Sequence, residues 1–324
     1  MRIGIIGANW GRMHIGAFRA AGAEVVALCG LDAAKTRSIA AEERIPLATT
    51  DVAELVAASE AVVVASPASE HARHAEQVLV ASRHVLIEKP LAAPLEEARR
   101  LGAIALLPGQ VAAVSFPYRM LPPFGAMAAF RASRSVLRGL NASVRNSFLP
   151  GDGRSGDLGG LSHLVDAALW LAGLRPAWVS GAVLESAWVE IGLASGAVIA
   201  IAHLRSFEPG IGGHWVLAGD DWEGELHAGY VPALGGWQVG PARAYAGDRW
   251  RQIAEGVRPA PGRLEPWAEA HAAAARAFLS AASGGDRGVL ATVADGVRVQ
   301  VVIDALVRSS REGRRIPLPA EDGP

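Results

Sequence analysis

Short runs of valine and isoleucine alternate with segments of helical character through the first 120 residues, and this alternation restricts the fold more than any other feature of the chain. The β-type runs lie at 2–6, 24–29, 61–65, 84–88 and 111–116, each too short to be a core helix. Their apolar residues are consecutive rather than alternate, which reads as strands buried on both faces of a parallel sheet. Residues 12–21, 33–43, 52–58, 69–82 and 95–106 carry helix-type patterns, with Asp32, Asp51 and Ser69 placed as N-caps. Strand–helix–strand units of this kind close right-handed and build a doubly wound sheet.

After Pro122-Pro123 the pattern changes. A β-type stretch at 136–148 leads through a glycine-rich passage (151–160) into an amphipathic segment at 162–172. Strand-like segments follow at 178–184, 188–193, 198–204 and 215–218, and Ser195-Gly196 between the second and third marks a hairpin. Helices are expected at 265–282 and 292–308. The predicted class is α/β: an N-terminal Rossmann-type doubly wound parallel sheet over 1–120, then a C-terminal α+β domain over 121–324 with a mostly antiparallel open sheet. The segment 197–204 is apolar on both faces, and with Trp188 and Trp215 nearby it predicts a homodimer or homotetramer built on that open face.

Composition narrows the partners. A formal net charge of −1 provides neither a basic footprint for nucleic acid nor a polybasic membrane patch. No run of about 18 apolar residues is present, and the apolar stretch 3–8 stops at Asn9, Arg12 and His14, short of a leader's core, so a cytoplasmic protein is expected. Cys29 is the single cysteine and reads as a small core residue, which removes internal disulfides and cysteine-based metal clusters. His203, His214, His227 and His271 show no ligand spacing, and no metal is expected.

The first run is followed by Gly7-Ala-Asn-Trp-Gly-Arg-Met-His14. A glycine turn between strand and helix lets the backbone approach a pyrophosphate seated on the helix N-terminus. Gly7, Asn9, Trp10, Gly11 and Arg12 are therefore expected at a dinucleotide. Asn9 stands where the middle glycine of G-x-G-x-x-G belongs and the loop is one residue short; asparagine tolerates left-handed backbone angles, so the turn survives. The second run ends Cys29-Gly-Leu-Asp32, and neither Gly30 nor Leu31 is an acid for an NAD ribose or a base for an NADP phosphate. Asp32 reads as a helix cap, Leu31 lies at the cofactor edge, and NADP should be tolerated at least as well as NAD, with Arg12 or Arg37 assisting.

Of the 31 basic residues, 29 are arginine, which cannot exchange a proton near neutral pH; the lysines are Lys35 and Lys89. Lys89 stands in His84-Val-Leu-Ile-Glu-Lys-Pro-Leu91, preceded by Ala65-Ser-Pro-Ala-Ser-Glu-His71. With Phe116-Pro-Tyr-Arg119, Ser162-His-Leu-Val-Asp166, Ala294-Asp-Gly296 and Ser309-Ser-Arg-Glu-Gly313, these segments make the chain resemble the Gfo/Idh/MocA oxidoreductases along essentially its whole length. The resemblance implies that Lys89 touches substrate and cofactor, that Glu88 supports it, and that Pro90 turns the chain through a cis bond. It places Ser66, Pro67 and His71 beside the nicotinamide ribose, although His71 could equally face solvent. It also implies that His163 binds the substrate hydroxyl or takes its proton, which suits a side chain titrating near neutrality. Asp166 shares His163's helix face at i+3. Where the family has an aspartate four residues before this histidine, Gly159 stands, and Asp157 is the nearest substitute. Arg119 either binds substrate hydroxyls or packs the domain junction.

The expected activity is NAD(P)-dependent alcohol–ketone hydride transfer on a sugar-like or polyol-like molecule, with Lys89 and His163 catalytic and Arg119, Asp166 and Asp157 binding substrate. Two other readings stay open: a non-catalytic regulatory protein that binds NAD(P) or a sugar, and a redox-assisted lyase or glycosidase with tightly held NAD. Eight of the nine tryptophans follow residue 120, where aromatic rings serve as sugar platforms or as core and interface.

Overall fold

The computed structural model describes residues 1–134, 136–146, 158–184, 186–205, 210–231 and 236–320. Along the first half of the chain run β1 (Arg2–Ile6), α1 (Gly11–Ala20), β2 (Glu24–Cys29), α2 (Ala33–Glu42), β3 (Leu47–Thr49), α3 (Val52–Ala58), β4 (Ala61–Val64), α4 (His71–Val80), β5 (His84–Ile87), α5 (Leu95–Gly102), β6 (Ala112–Val114), α6 (Pro122–Ala132), β7 (Gly139–Asn146) and α7 (Leu158–Ala172). Then come β8 (Pro176–Val183), β9 (Ala187–Leu193), β10 (Val198–Arg205), β11 (Ile211–Ala218), β12 (Trp222–Val231), β13 (Gly236–Val239), β14 (Ala242–Ala246), β15 (Arg249–Ala254), α8 (Pro266–Ala282), β16 (Ala291–Thr292), α9 (Val293–Glu312) and β17 (Ile316–Pro317).

By its contacts the chain divides into two units: Met1–Met120 with Ala268–Gln300, and Leu121–Trp267 with Val301–Pro324. In the first, strands β1 to β6 pair in parallel in the order β6-β5-β4-β1-β2-β3, and β16 adds an antiparallel edge. The order reverses between β1 and β4, which puts a crevice at the carboxyl ends of those two strands. The strands are the near-continuous apolar runs of the sequence, and α8 returns to cover them, with Phe278 meeting Phe18 of α1 edge-on at 6.0 Å. Cys29 is buried there, and burial, with Asp51 and Glu54, pushes its thiol up to about 11.

The second unit is a ten-stranded sheet in the order β15-β14-β12-β11-β7-β10-β9-β8-β17, with β13 beside β12; β7 and β10 are parallel and the other pairs antiparallel. The β9–β10 hairpin turns at Gly196, whose φ of +88° is one that glycine adopts without strain.

Several boundaries depart from the sequence reading. Asp32 and Asp51 do cap α2 and α3, but Ser69 caps nothing: it sits inside a 3-10 turn (Ala68–Glu70), and α4 starts two residues later. Pro122-Pro123 opens helix α6, which the sequence reading did not include, since proline suits a helix's first turn. Strands β12 to β15 were not anticipated, because their glycines and charged residues interrupt the alternation. Trp215 does not lie on the open face. It is fully buried against Phe124 of α6, at 5.4 Å, while Trp188 stays 46% exposed on the opposite face with Val198, Ala200 and Leu204.

Candidate active site

Two glycines shape the loop after β1. Gly7 has φ +116°, and a Cβ there would stand 2.1 Å from the Ala65 carbonyl oxygen, so the loops after β1 and β4 meet without room for a side chain. Gly11 opens α1 close against β1, where a Cβ would come within 2.7 Å of Ile5 Cγ2. These are the approaches that a dinucleotide fingerprint asks of its glycines. Trp10 precedes the helix without a side-chain cap, and no acid lies in the first turn of α1, an N-terminus suited to an anion. Asn9 Oδ1 accepts a hydrogen bond from Lys35 Nζ at 2.6 Å. Arg12 is committed elsewhere, to Glu42 at 2.7 Å and Glu43 at 3.5 Å. Leu31 is 94% exposed beyond β2. Asp32 accepts from the N–H groups of Lys35 and Ala34, which hold its carboxyl below the usual range.

At the end of β4, Ser66 Oγ lies 2.9 Å from Nδ1 of His74, whose Nε2 lies 2.7 Å from Arg73 Nη2. A guanidinium only donates, so His74 accepts at Nε2 and carries its hydrogen on Nδ1. Ser66 is thereby the acceptor, and its own hydroxyl hydrogen is left for another partner. Burial, then the charge of Arg73, pushes His74 down to about 4, which keeps this tautomer neutral.

His71 does not face solvent. Its buried ring spans two backbone carbonyls, with Nδ1 2.8 Å from Pro90 O and Nε2 2.7 Å from Ser66 O. A ring with one hydrogen satisfies one of these acceptors at a time; a doubly protonated ring satisfies both. The Ser66–Pro67 loop is thus tied to the Lys89–Pro90 turn, whose peptide is cis. Glu88, just before, is also buried: Oε2 accepts from the Lys89 backbone N–H at 3.1 Å and Oε1 lies 2.8 Å from His14 Nε2. His14 had signified only an end to an apolar run. The ligand-capable atoms of His14, Glu88 and His271 all lie within 4.8 Å of one another. No sequence spacing announces that trio, because α1, β5 and α8 bring it together.

Arg119 follows β6 in a 3-10 turn and is nearly buried, 3.4 Å from Asp295 in the first turn of α9. Burial raises the Asp295 carboxyl, but Arg119, Thr292 and Arg298 together outweigh it and hold the group low. The serines of the Ser309-Ser310 segment receive backbone N–H bonds from Gly181 and Val183 of β8, a structural duty.

In the second unit, α7 carries half-buried His163 and fully buried Asp166 one turn apart. The His163 ring stands edge-on to Trp267 at 5.6 Å, and Trp267 stacks on Trp237 at 4.6 Å. Glu265 fastens the stack by accepting the backbone N–H groups of both tryptophans. Asp157 lies outside the described residues. No helix among the described residues is long and apolar enough to cross a membrane.

Residues 1–116 match a family model described as an oxidoreductase family, NAD-binding Rossmann fold, and residues 209–318 match the same family's C-terminal alpha/beta domain. The chain is similar to the 1,5-anhydro-D-fructose reductase of Ensifer adhaerens, 34% identical over 154 residues that make up 46% of each protein. It is 45% identical to the glucose-6-phosphate 3-dehydrogenase of Bacillus subtilis (strain 168) over 71 residues, 22% of this chain and 20% of that one. These matches span less than half the length of the curated relatives. Among solved structures, levoglucosan dehydrogenase in complex with NADH and levoglucosan superposes with a TM-score of 0.80 at 20% identity, covering 98% of this chain and 99% of that one. The UDP-N-acetylglucosamine 3-dehydrogenase of Acidithiobacillus ferrooxidans gives 0.78 at 22%, covering 96% and 98%. At such identities the likeness is one of fold.

Proposed function

The chain belongs to the Gfo/Idh/MocA oxidoreductase family, and from that premise we propose that it is an NAD(P)-dependent dehydrogenase or reductase acting on a CH–OH group of a sugar-like or polyol-like molecule. The observation that carries this reading is the Lys89 turn. It leaves the carboxyl end of β5, where open α/β sheets take their ligands, and buried side chains fasten it on both sides. The side-chain-free approaches at Gly7 and Gly11 fit a dinucleotide, which Gly7, Asn9, Trp10 and Gly11 would hold through backbone, with the Ser66 hydroxyl as a further donor. When bound, the nicotinamide supplies the hydride acceptor or donor.

The chain's own residues supply the rest. Lys89 donates to the reacting oxygen and polarises it, and a lysine can also exchange a proton there. His163 takes or returns the alcohol proton, with Asp166 orienting it. Arg119, paired with Asp295, binds substrate hydroxyls. The absence of an acid at Gly30 and Leu31, with Lys35 reaching Asn9 instead, favours acceptance of NADP at least equal to that of NAD. A second copy of the chain covers the open sheet face that carries Trp188.

Titration with NAD, NADH, NADP and NADPH, followed by a sugar and polyol oxidation screen, tests the assignment. The expected result is micromolar dinucleotide binding with turnover on at least one polyhydroxylated substrate. Binding without turnover on any of them favours a sensor.

A further inference from the structure

Glu88 is a charge placed where an apolar residue would pack as well. It follows three buried strand residues, Val85, Leu86 and Ile87, and is itself 3% exposed. A buried carboxylate persists only where its oxygens are hydrogen-bonded, and a well-packed apolar pair is usually at least as stable. Its worth therefore lies in geometry. One oxygen takes the Lys89 backbone N–H and the other takes His14, from the second turn of the helix that begins at Gly11.

We propose that His14 and Glu88 are positioning residues: the helix that begins at the glycine loop holds the Glu88 carboxylate through His14, and the carboxylate fixes the Lys89 backbone from which the reactive side chain springs. This rests on the reading of Lys89 as catalytic. His271 closes the arrangement, its ring edge-on to His14 at 5.4 Å. Burial pushes His271 down to about 4, with the neighbouring Glu88 opposing the shift.

The same trio has the composition of a metal site, but the spacing of one pair is not that of ligands on tetrahedral zinc. His14 Nε2 and Glu88 Oε1 are 2.8 Å apart, a hydrogen bond, whereas ligands around one tetrahedral zinc with bonds of about 2.0 Å stand about 3.3 Å apart.

Because the chain holds only Lys35 and Lys89, the test can be read without knowing the substrate. Reductive methylation with ¹³C-formaldehyde labels both lysines, and Lys35→Arg identifies the Lys89 signal. With NAD as the probe, Lys89 in the parent should give one dispersed signal that moves on binding. In Glu88→Gln and His14→Asn that signal should collapse toward the position of a free lysine, with Lys35 unmoved and the melting temperature within a few degrees. On the substrate found by the screen, Glu88→Gln should lower kcat about 10- to 100-fold with little change in cofactor Kd, and should cost nothing further in a Lys89→Ala background. A Lys89 signal unchanged in both variants overturns the proposal, as does an equal loss of kcat with and without Lys89. Retention of kcat in Lys89→Ala instead locates the failure in the catalytic reading of Lys89, and the positioning role falls with it.

Discussion

Lys35 Nζ donates to Asn9 Oδ1 at 2.6 Å, joining the first turn of α2 to the loop after β1. Lys35 follows the end of β2, where a dinucleotide's adenosine ribose is expected, and the bond to Asn9 holds its cation at that edge. Sequence reading had assigned such help to Arg12 or Arg37, but Arg12 is engaged by Glu42 and Glu43. The parent should bind NADP at least as tightly as NAD. Lys35→Ala should weaken NADP about 10-fold, or 1.4 kcal/mol, and leave NAD nearly unchanged. Calorimetric titration checks both, and a parent preference for NAD beyond that factor would falsify the assignment.

Lys89→Ala should remove most turnover while dinucleotide affinity holds, since the pyrophosphate depends on the loop at residues 7–11. Lys89→Arg should fail almost as badly, because its planar fork reaches differently and cannot exchange a proton. His163→Ala should lower kcat roughly 10²- to 10⁴-fold, and Asp166→Asn should cost less. Combining Lys89→Ala with His163→Ala should cost far less than the product of the two, as for groups acting in one step. Steady-state kinetics on the substrate from the screen decides each comparison.

Acid should destabilise the first unit through His271. Its folded value of about 4 lies below the ordinary 6.5, so the unfolded chain binds more protons between those values. The stability this histidine contributes is complete above about pH 6.5 and is lost as pH falls toward 4, by up to about 3 kcal/mol. Urea unfolding of the parent and of His271→Leu at pH 7.5 and 4.5 measures it: the leucine variant should lose less on acidification, and equal losses would remove His271 as the cause.

The open sheet face should hold a second copy. Trp188, Val198, Ala200 and Leu204 share that face at the β9–β10 pair, and exposed large apolar side chains of this kind suit an interface. Light scattering at micromolar concentration should give a dimer or tetramer, and Trp188→Glu should lower the mass. A monomeric parent would refute this. Trp215 takes no part, because it is buried on the other face.

The chain's own pattern determined much of this. Consecutive apolar residues at β1, β2, β4 and β5 have no polar side to turn toward water, so a parallel sheet covered on both faces was legible before any coordinates. Asp32 and Asp51 announced their helices for an equally local reason, a carboxylate within reach of N–H groups two or three residues on. Gly7 and Lys89 drew notice by position, a glycine between strand and helix and a lysine at a strand end, and the structure places them after β1 and β5. Tertiary structure alone decided the partners. His14 meets Glu88 across 74 residues, His71 meets the Pro90 carbonyl across 19, and Lys35 meets Asn9 across 26. Such pairs have no period along the chain. They arise because strands adjacent in the sheet are not adjacent in order, so that helices and loops distant in sequence converge on one crevice, and a hydrogen bond responds to distance in space.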